Sequence, residues 1–531
     1  MGKWLLYLPL LLLQLLSGCG KATSPYRPTK QELRLNLKSE PPTLDPRKAT
    51  DTTSIAVLNF CFEGLMRMDP DDTPSLAVAE KFEVSQDQTR YTFTLRESHW
   101  SDGKKVTAYD FEKTWKTILD PLFPCEFAAN LYILKNAKSA KLGKCALDQV
   151  GVVALDEKTL QVDLEHPVPY FLSSLASHAF FPTPSHVVEN NPQWLDQQYV
   201  GNGPFYLKER KHHLSMLFKK NPHYWDQEKV RLETVSLMLV QDDSTELTMF
   251  ENGELDWAGY PLSNLPTEAL PSLSKEGILN QYEIAGTYYY VFNTTQFPFN
   301  NAQIRRALSL AINREEIINN ITLMHQKPAM ALVPPMLWED VPNYFKDHDI
   351  AEAKRCFAKG LQELNIKEKD FPPINLSYNT LAGHHKIAQA IQQQWNAAFG
   401  IQVNLANKEW KVFLDELHHG QFQVARLGNI AALEDPSTFL DEYRYLSNGK
   451  NNAKWSNPRY TALLEEADLT PDVQKRISLL KEAEEILIQE MPIAPIYFYT
   501  GVYLKQPYVK GIYISKLNQL DLKWAYVEID D

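Results

Sequence analysis

The sequence lacks the short motifs that mark the common catalytic sites. It has no G-x-S-x-G nucleophile elbow, no G-x-x-x-x-G-K-[ST] phosphate loop and no H-E-x-x-H zinc pair. His384-His385 and His418-His419 are adjacent pairs, and neighbouring helix residues point about 100° apart, so neither pair forms a natural metal site. The sequence therefore predicts a protein that is not an enzyme and that carries no metal or cofactor.

Positive charge and cysteine are also scarce. The chain has 54 Lys and Arg against 66 Asp and Glu, a formal net charge of −12, with no basic stripe or zinc-finger spacing. Nucleic acid is therefore not an expected partner. Of five cysteines, Cys125 and Cys145 could pair in an oxidising compartment or remain buried thiols, and their spacing does not decide between the two.

Only one long apolar run is present, from Trp4 to Leu16 behind Lys3. It is too short for a comfortable membrane span and is typical of a signal peptide. It ends in Leu16-Ser17-Gly18-Cys19, which resembles the bacterial lipoprotein box, in which the Cys is diacylated. The alternative is an ordinary signal peptide with a chance Cys. We expect a signal peptide at 1–18, a lipidated tether (palmitate on Cys19) at 19–29, and a membrane-anchored location in the cell envelope, facing the periplasm or cell exterior.

The remainder of the 531 residues has ordinary globular composition, with 44% hydrophobic and 23% charged residues. Single cores stop growing at roughly 250–300 residues, so we expect more than one lobe. Alternation at Tyr91, Phe93 and Leu95, and again at 160–164, predicts strands of a mixed or antiparallel region. The segments 374–378, 401–405 and 422–426 read as strands separated by helices, the first helix ending at Gly400. This order predicts a parallel α/β lobe.

Short runs along the chain together resemble one family. They are Pro42-Thr43-Leu44-Asp45-Pro46, Phe62-Glu63-Gly64-Leu65, Trp100-Ser101-Asp102-Gly103, Pro167-Val168-Pro169-Tyr170-Phe171, Asn202-Gly203-Pro204-Phe205, Asn221-Pro222 with Tyr224-Trp225, and Asn300-Asn301 with Arg305-Arg306-Ala307-Leu308. In this order they resemble the bacterial extracellular solute-binding proteins of peptide ABC transporters, the oligopeptide-binding family. The resemblance covers essentially the whole mature chain.

The resemblance implies an α/β fold, a two-lobed periplasmic-binding-protein clamp (type II, cluster C-like) with an extra domain. Lobe I would comprise 30–62, 181–285 and 500–531, the extra domain 63–180, and lobe III 286–499. Small peptides would be enclosed between the lobes by hinge closure and passed to the permease and ATPase subunits of an ABC importer.

Several residues match cleft positions of that family. Arg426 could bind a ligand carboxylate, because a guanidinium can donate two hydrogen bonds to one carboxylate. An internal salt bridge of Arg426 is an equally good interpretation. His384 could meet the carboxylate of a longer ligand, and Trp410 offers a flat wall. Tyr289 lies at the lobe crossing, where core packing is the alternative. The remaining matches are Asn379 and Leu414, with Tyr497 and Tyr499 as weaker candidates.

One departure from the family concerns the ligand's amino group. Where Ala432 stands, many relatives have an Asp that pairs with that group. Either Glu434, Asp435 or Asp51 takes over, or the ligand lacks a free amine; Glu434 and Asp435 could equally be solvent-facing turn residues. Gly428, Asn429 and Ile430 could still offer backbone hydrogen bonds to an extended peptide.

Peptide capture is therefore the leading hypothesis. The same fold binding a metal chelate, haem, a sugar or another small solute is the second, motivated by Ala432. A membrane-tethered chaperone or hydrolase is the third, and the absence of a nucleophile–base spacing argues against hydrolysis. Ligand length and side-chain preference do not follow from the sequence.

Overall fold

The structure is a computed structural model that describes residues 28–338 and 342–529. The predicted signal peptide and Cys19 lie outside the described residues, so lipidation stays a prediction. Within the described part, none of the helices combines the length and the apolar composition that a membrane crossing needs.

The first half of the chain contains many short strands. The strands are β1 (Glu32–Asn36), β2 (Met66–Met68), β3 (Pro74–Leu76), β4 (Ala79–Val84), β5 (Arg90–Leu95), β6 (Val152–Ala154), β7 (Thr159–Asp163), β8 (Phe205–Lys211), β9 (Ser215–Lys220), β10 (Thr234–Met238) and β11 (Trp257–Gly259). The helices are α1 (Thr52–Cys61), α2 (Ala108–Leu119), α3 (Ala137–Lys141), α4 (Phe171–Ser174), α5 (Ser185–Val188), α6 (Trp194–Gln197), α7 (Asp243–Glu251) and α8 (Leu270–Lys275).

The second half has longer elements. Its strands are β12 (Asn280–Phe292), β13 (Lys327–Pro328), β14 (Ile374–Asn379), β15 (Val403–Lys408), β16 (Val424–Ile430), β17 (Ile493–Lys505), β18 (Val509–Lys510), β19 (Tyr513–Ile514), β20 (Leu520–Asp521) and β21 (Tyr526–Val527). Its helices are α9 (Ala302–Leu310), α10 (Arg314–Ile317), α11 (Ile350–Leu364), α12 (Ala382–Phe399), α13 (Trp410–His418), α14 (Ser437–Leu440), α15 (Pro458–Asp468) and α16 (Val473–Glu490).

Two four-stranded sheets organise the first half. One has the order β1-β10-β9-β8, with β1 parallel to β10, and the other is the antiparallel sheet β4-β5-β7-β6. In β5, Tyr91, Phe93 and Leu95 are buried while Thr92 and Thr94 are half-buried. The predicted strand and its buried face are confirmed.

Lobe I and the extra domain share one continuous hydrophobic core. The same cluster contains Leu33 of β1 and Val57 of α1 together with Phe93 of β5 and Leu160 of β7. Close-packed interiors resist relative movement of their parts. We therefore expect lobe I and the extra domain to move as one body.

A buried polar network explains the Phe62-Glu63-Gly64-Leu65 and Tyr224-Trp225 runs. The Glu63 carboxylate accepts hydrogen bonds from Arg67 (2.7 Å), Tyr224 (2.7 Å) and the Trp225 indole (2.6 Å). Arg67 also donates to Asp521 at 2.6 and 2.8 Å. These contacts join the start of the extra domain to lobe I and the C-terminal segment, so both runs are structural.

A seven-stranded sheet crosses from lobe I into lobe III. Its order is β11-β17-β12-β16-β14-β15, with β13 beside β17. The crossing is made by β12 and β17, whose pairing is irregular between Glu283 and Thr287, opposite Thr500 and Phe498. The predicted lobe boundaries at 285/286 and 499/500 fall at this irregularity, which makes it the candidate hinge. The boundaries themselves stay a prediction.

Lobe III packs helices on both faces of that sheet. On one face α12 buries Ile387, Ile391 and Trp395, whose indole donates to the Leu308 carbonyl at 2.8 Å. The helix ends at Phe399, and Gly400 follows with φ +67°, a left-handed conformation that glycine adopts without strain. The predicted alternation of strands and helices is confirmed here, including the parallel pairing of β14 with β15 and β16.

The cysteines of the described residues are all free thiols. Cys61 and Cys356 are buried, and Cys125 and Cys145 are half-buried. The Cys125–Cys145 pairing that the sequence left open is therefore absent from this structure.

Candidate functional site

A cationic and aromatic cluster lies where β14 ends and β16 continues. Arg426 Nη1 donates to Asn379 Oδ1 at 3.4 Å, and Nη2 donates to the Tyr499 hydroxyl at 3.3 Å. The guanidinium also lies 4.7 Å from the ring centre of Tyr288, whose hydroxyl is 3.2 Å from Nδ1 of His384. The structure thus brings together three predicted site residues, Asn379, His384 and Arg426. We call these five residues the arginine cluster.

Arg426 has no carboxylate partner among the described residues. The groups that act on its charge are the tyrosines 288, 497 and 499, and its Nε is buried without a hydrogen bond. Both of its side-chain bonds are longer than the usual 2.7–3.2 Å, so most of its donors are available. The internal salt bridge weighed from the sequence is not formed among these residues, and an unmatched cation at this half-buried position is costly unless a ligand supplies the counter-charge.

His384 is buried and neutral. Burial, and then the neighbouring Arg426 charge, lower its pKa to about 3. It can therefore share a hydrogen bond with a ligand at physiological pH but cannot supply a second positive charge.

The backbone of β16 has an open edge beyond this cluster. Its pairing with β14 extends only to Ala425, whereas its antiparallel pairing with β12 continues to Ile430. The Ala431 N–H donates to the Ala285 carbonyl at 2.7 Å. Hydrogen-bonded and non-bonded pairs alternate in such a ladder, so the N–H and C=O groups of Gly428 and Ile430 point away from β12. They face the side where β14 has ended.

Gly428 is required by the packing of Tyr499. A Cβ at Gly428 would lie 2.1 Å from the Tyr499 hydroxyl oxygen, and a Cβ at Gly286 would lie 2.8 Å from Cδ2 of the same ring. The Tyr499 ring therefore rests on two glycines of neighbouring strands. This close approach holds the hydroxyl beside Arg426.

Four predicted residues lie on the opposite face of the sheet. Tyr289 is 3% exposed in a core cluster against which Leu414 packs. Trp410 is 47% exposed and stacks on Phe413 of that cluster, with ring centres 6.1 Å apart. The Asn429 side chain donates to Glu442 Oε1 at 3.0 Å. The tyrosine that meets Arg426 is Tyr288, which stacks on Tyr497 at 4.7 Å.

Buried Glu442 makes lobe III sensitive to pH. Burial raises its pKa to about 7, against a smaller opposing effect of Lys450. Between about pH 4.5 and 7 the folded chain holds a proton that the unfolded chain has lost, so the free energy of unfolding falls as pH rises. We expect Glu442→Gln to reduce that fall by about 1–3 kcal/mol between pH 5 and 8, measured by urea unfolding. Glu251→Gln, at an exposed site on α7, is the control, and an unchanged pH dependence in the Glu442 variant would contradict the assignment.

The acidic residues after β16 are not simple turn residues. Asp435 is 6% exposed and receives two hydrogen bonds from Arg476, at 2.7 and 2.8 Å, so it is not available to a ligand amine. Asp51 caps α1 by accepting from the Ser54 N–H at 2.8 Å. Glu434 is half-buried, and its Oε1 has no hydrogen-bond partner. The solvent-facing alternative is therefore wrong for Asp435.

Sequence reasoning missed the contact between the extra domain and lobe III. The Tyr170 ring centre is 5.7 Å from the Arg476 guanidinium, and the Asp435 charge adds to burial in raising the pKa of Tyr170. No periodicity or motif links residues so far apart.

Within 28–338 and 342–529, no group of three or more His, Cys, Asp and Glu side chains could hold a metal ion.

Comparisons with known proteins show the family and the fold of the chain. The family model "Bacterial extracellular solute-binding proteins, family 5 Middle" matches residues 73–451. The oligopeptide-binding protein OppA of Bacillus subtilis (strain 168) is 42% identical over 518 residues, which cover 96% of this chain and 94% of that protein. Two solved structures have TM-scores of 0.81. OppA of Haemophilus influenzae in complex with RPPGFSPFR is 30% identical (95% of this chain, 100% of that chain), and the murein tripeptide binding protein MppA of Escherichia coli is 32% identical (94% and 99%). The predicted two-lobed α/β fold class is confirmed.

Proposed function

The chain belongs to the bacterial extracellular solute-binding proteins of family 5, which are binding proteins and not enzymes, and we propose that it captures oligopeptides for an ABC importer. The observation that carries the proposal is the unmatched Arg426 beside the open edge of β16. A peptide has the complementary chemistry, because it offers backbone groups to an edge and a carboxylate at one end.

The binding mode follows from the two features together. An extended peptide pairs with the outward backbone groups of Gly428 and Ile430, and its carboxylate takes the free donors of Arg426. Tyr288, Tyr499 and Asn379 position the guanidinium. Tyr289, Trp410 and Leu414 lie on the opposite face and support the sheet from that side.

The relatives support a peptide ligand. The names of OppA and of the dipeptide-binding protein DppE of Bacillus subtilis refer to peptides, and the Haemophilus OppA structure holds a nonapeptide. The candidate hinge in β12 and β17 fits capture by closure of lobe III against the single body formed by lobe I and the extra domain.

Membrane attachment and delivery are parts of the same proposal. Diacylated Cys19 would hold the folded chain at the membrane surface through the tether, next to the permease and ATPase subunits that receive the peptide. A Cys19→Ser variant should leave the membrane fraction if the lipid is the anchor. Retention of that variant in the membrane fraction would contradict the anchor without bearing on peptide binding.

Calorimetric titration tests the ligand class. The mature chain lacking residues 1–19 is freed of co-purified ligand and titrated with peptide pools of two to six residues, each with a free or an amidated C-terminus. Binding that weakens on amidation supports the proposal. Failure of every pool to bind would overturn it and favour a non-peptide solute.

A further inference from the structure

The Pro167-Val168-Pro169-Tyr170-Phe171 run of the extra domain holds one aromatic ring against lobe III. Val168 and Phe171 are buried in the core that the extra domain shares with lobe I. Proline has a fixed φ, so the two prolines of the run restrict the backbone around these buried anchors. Tyr170 itself is half-buried at the edge of that core. The run therefore fixes the position of the Tyr170 ring without enclosing it in the core.

The Tyr170 ring lies against a buried ion pair of lobe III. Arg476 of α16 donates to both carboxylate oxygens of Asp435, at 2.7 and 2.8 Å, and the two side chains are 7% and 8% exposed. Asp435 also accepts from the Ser437 N–H at 2.9 Å, at the start of α14. The guanidinium carbon of Arg476 is 5.7 Å from the centre of the Tyr170 ring, which is within the range of a cation–π contact.

This contact joins the two parts of the chain that hinge closure would bring together. Tyr170 belongs to the single body formed by lobe I and the extra domain, whereas Arg476 and Asp435 belong to lobe III. The candidate hinge, at the irregular pairing between Glu283 and Thr287, lies between these parts. Opening at the hinge must therefore separate the Tyr170 ring from the ion pair and expose both to water.

We propose that Tyr170 and the Arg476–Asp435 pair form a latch between the extra domain and lobe III, which stabilises the closed arrangement without contacting the ligand. The inference rests on the proposed function, because it concerns the closure by which a ligand is captured. It gives the extra domain a part in that closure. The latch can also be released, since Arg476 and Asp435 remain paired with each other on opening and neither charge is left buried alone.

A latch of this kind affects every ligand by the same factor. The apparent affinity of a ligand depends on the fraction of the chain that is in the binding-competent form. If the unliganded chain is mostly open, loss of the latch weakens binding. If the unliganded chain is mostly closed, loss of the latch opens it instead. The affinity and the shape of the unliganded chain, measured together, therefore report the latch in either case.

The test compares Tyr170→Leu and Tyr170→Phe with wild type, using the mature chain freed of co-purified ligand. Leucine keeps an apolar side chain but removes the ring, whereas phenylalanine keeps the ring and removes only the hydroxyl. Calorimetry with the peptide pools measures the affinity, and small-angle X-ray scattering without peptide measures the radius of gyration.

We expect Tyr170→Leu to bind every peptide pool about two- to thirtyfold more weakly, to have a larger radius of gyration without peptide, or both. Tyr170→Phe should resemble wild type, because the ring face makes the cation–π contact. Tyr109→Leu, at a 42% exposed tyrosine of the same domain, is the control for loss of an aromatic ring. Thermal unfolding checks that every variant is folded.

The outcomes separate the two proposals. If Tyr170→Leu keeps both the affinity and the radius of gyration of wild type, the latch is overturned and peptide capture stands. A loss of affinity confined to peptides of one length or one terminal group would also overturn the latch, because it would assign Tyr170 to contact with the ligand. If wild type binds none of the peptide pools, the proposed function fails, and the scattering comparison alone decides the latch.

Discussion

Arg426→Gln is expected to weaken binding of peptides with a free carboxylate by about a hundredfold or more. The guanidinium has five donors, and its hydrogen bonds to Asn379 and Tyr499 within the described structure are both long. Removing one partner of a buried charge pair costs roughly 2–5 kcal/mol of binding free energy, and each 1.4 kcal/mol is a factor of ten. Calorimetry with paired free and amidated peptides measures the effect, because the amidated peptide should lose little.

The unfolding free energy distinguishes this ligand role from a structural one. In the unliganded chain the charge of Arg426 lacks a carboxylate, so its removal leaves no buried anion behind. The variant should be as stable as wild type or more stable, while binding is lost. Arg355→Gln, at a 77% exposed side chain on α11, is the control for loss of a positive charge. A large loss of stability in Arg426→Gln together with unchanged affinity would assign Arg426 to the core.

The sequence predicted the elements of lobe III well because their patterns are local. The buried face of α12 and its end before Gly400 follow from helical spacing and from the left-handed conformation that glycine adopts. Arg426 could be selected for the chemistry of its guanidinium. The absence of a carboxylate partner for Arg426 could not be predicted, because it depends on every residue that folds around the guanidinium.

Alternation placed Tyr289 and its neighbours on opposite faces but could not say which face meets the ligand. Both faces of the crossing sheet are buried, with Tyr288 in one core cluster and Tyr289 in the other. The usual contrast between a polar and an apolar face is therefore missing from β12. The position of Tyr288 beside Arg426 is a result of strand pairing, which the sequence pattern does not specify.

Asp435 shows that the sequence pattern also does not specify whether a charged residue is buried. Two acids before Pro436 are typical of an exposed turn, yet Asp435 is buried against Arg476, 41 residues further along the chain. Glu434 beside it keeps an unpartnered oxygen. Two adjacent carboxylates thus have different environments, and only the tertiary contact with α16 separates their roles.

Gly428→Val is expected to abolish measurable peptide binding and to destabilise the chain by about 1–3 kcal/mol. The added carbon atoms occupy the position of the Tyr499 hydroxyl, since even a Cβ would lie 2.1 Å from it. The Tyr499 ring must move away from Gly286 and Gly428. This overpacking lowers the free energy of unfolding, and the displaced hydroxyl is lost as a partner of Arg426. The displaced ring also obstructs the open edge of β16. Urea unfolding and peptide titration measure the two effects.

A double-mutant cycle shows whether the Tyr499 ring is the cause. Tyr499→Ala empties the space, so Gly428→Ala should cost stability in the wild-type background and little in the Tyr499→Ala background. The expected interaction energy is about 1–3 kcal/mol, within the range for residues in contact. Gly449→Ala, at a glycine with no atom within 4 Å of an added Cβ, controls for the general effect of replacing glycine. If Gly428→Ala lowers the free energy of unfolding equally in both backgrounds, glycine is required at position 428 by the backbone conformation and not by contact with the Tyr499 ring.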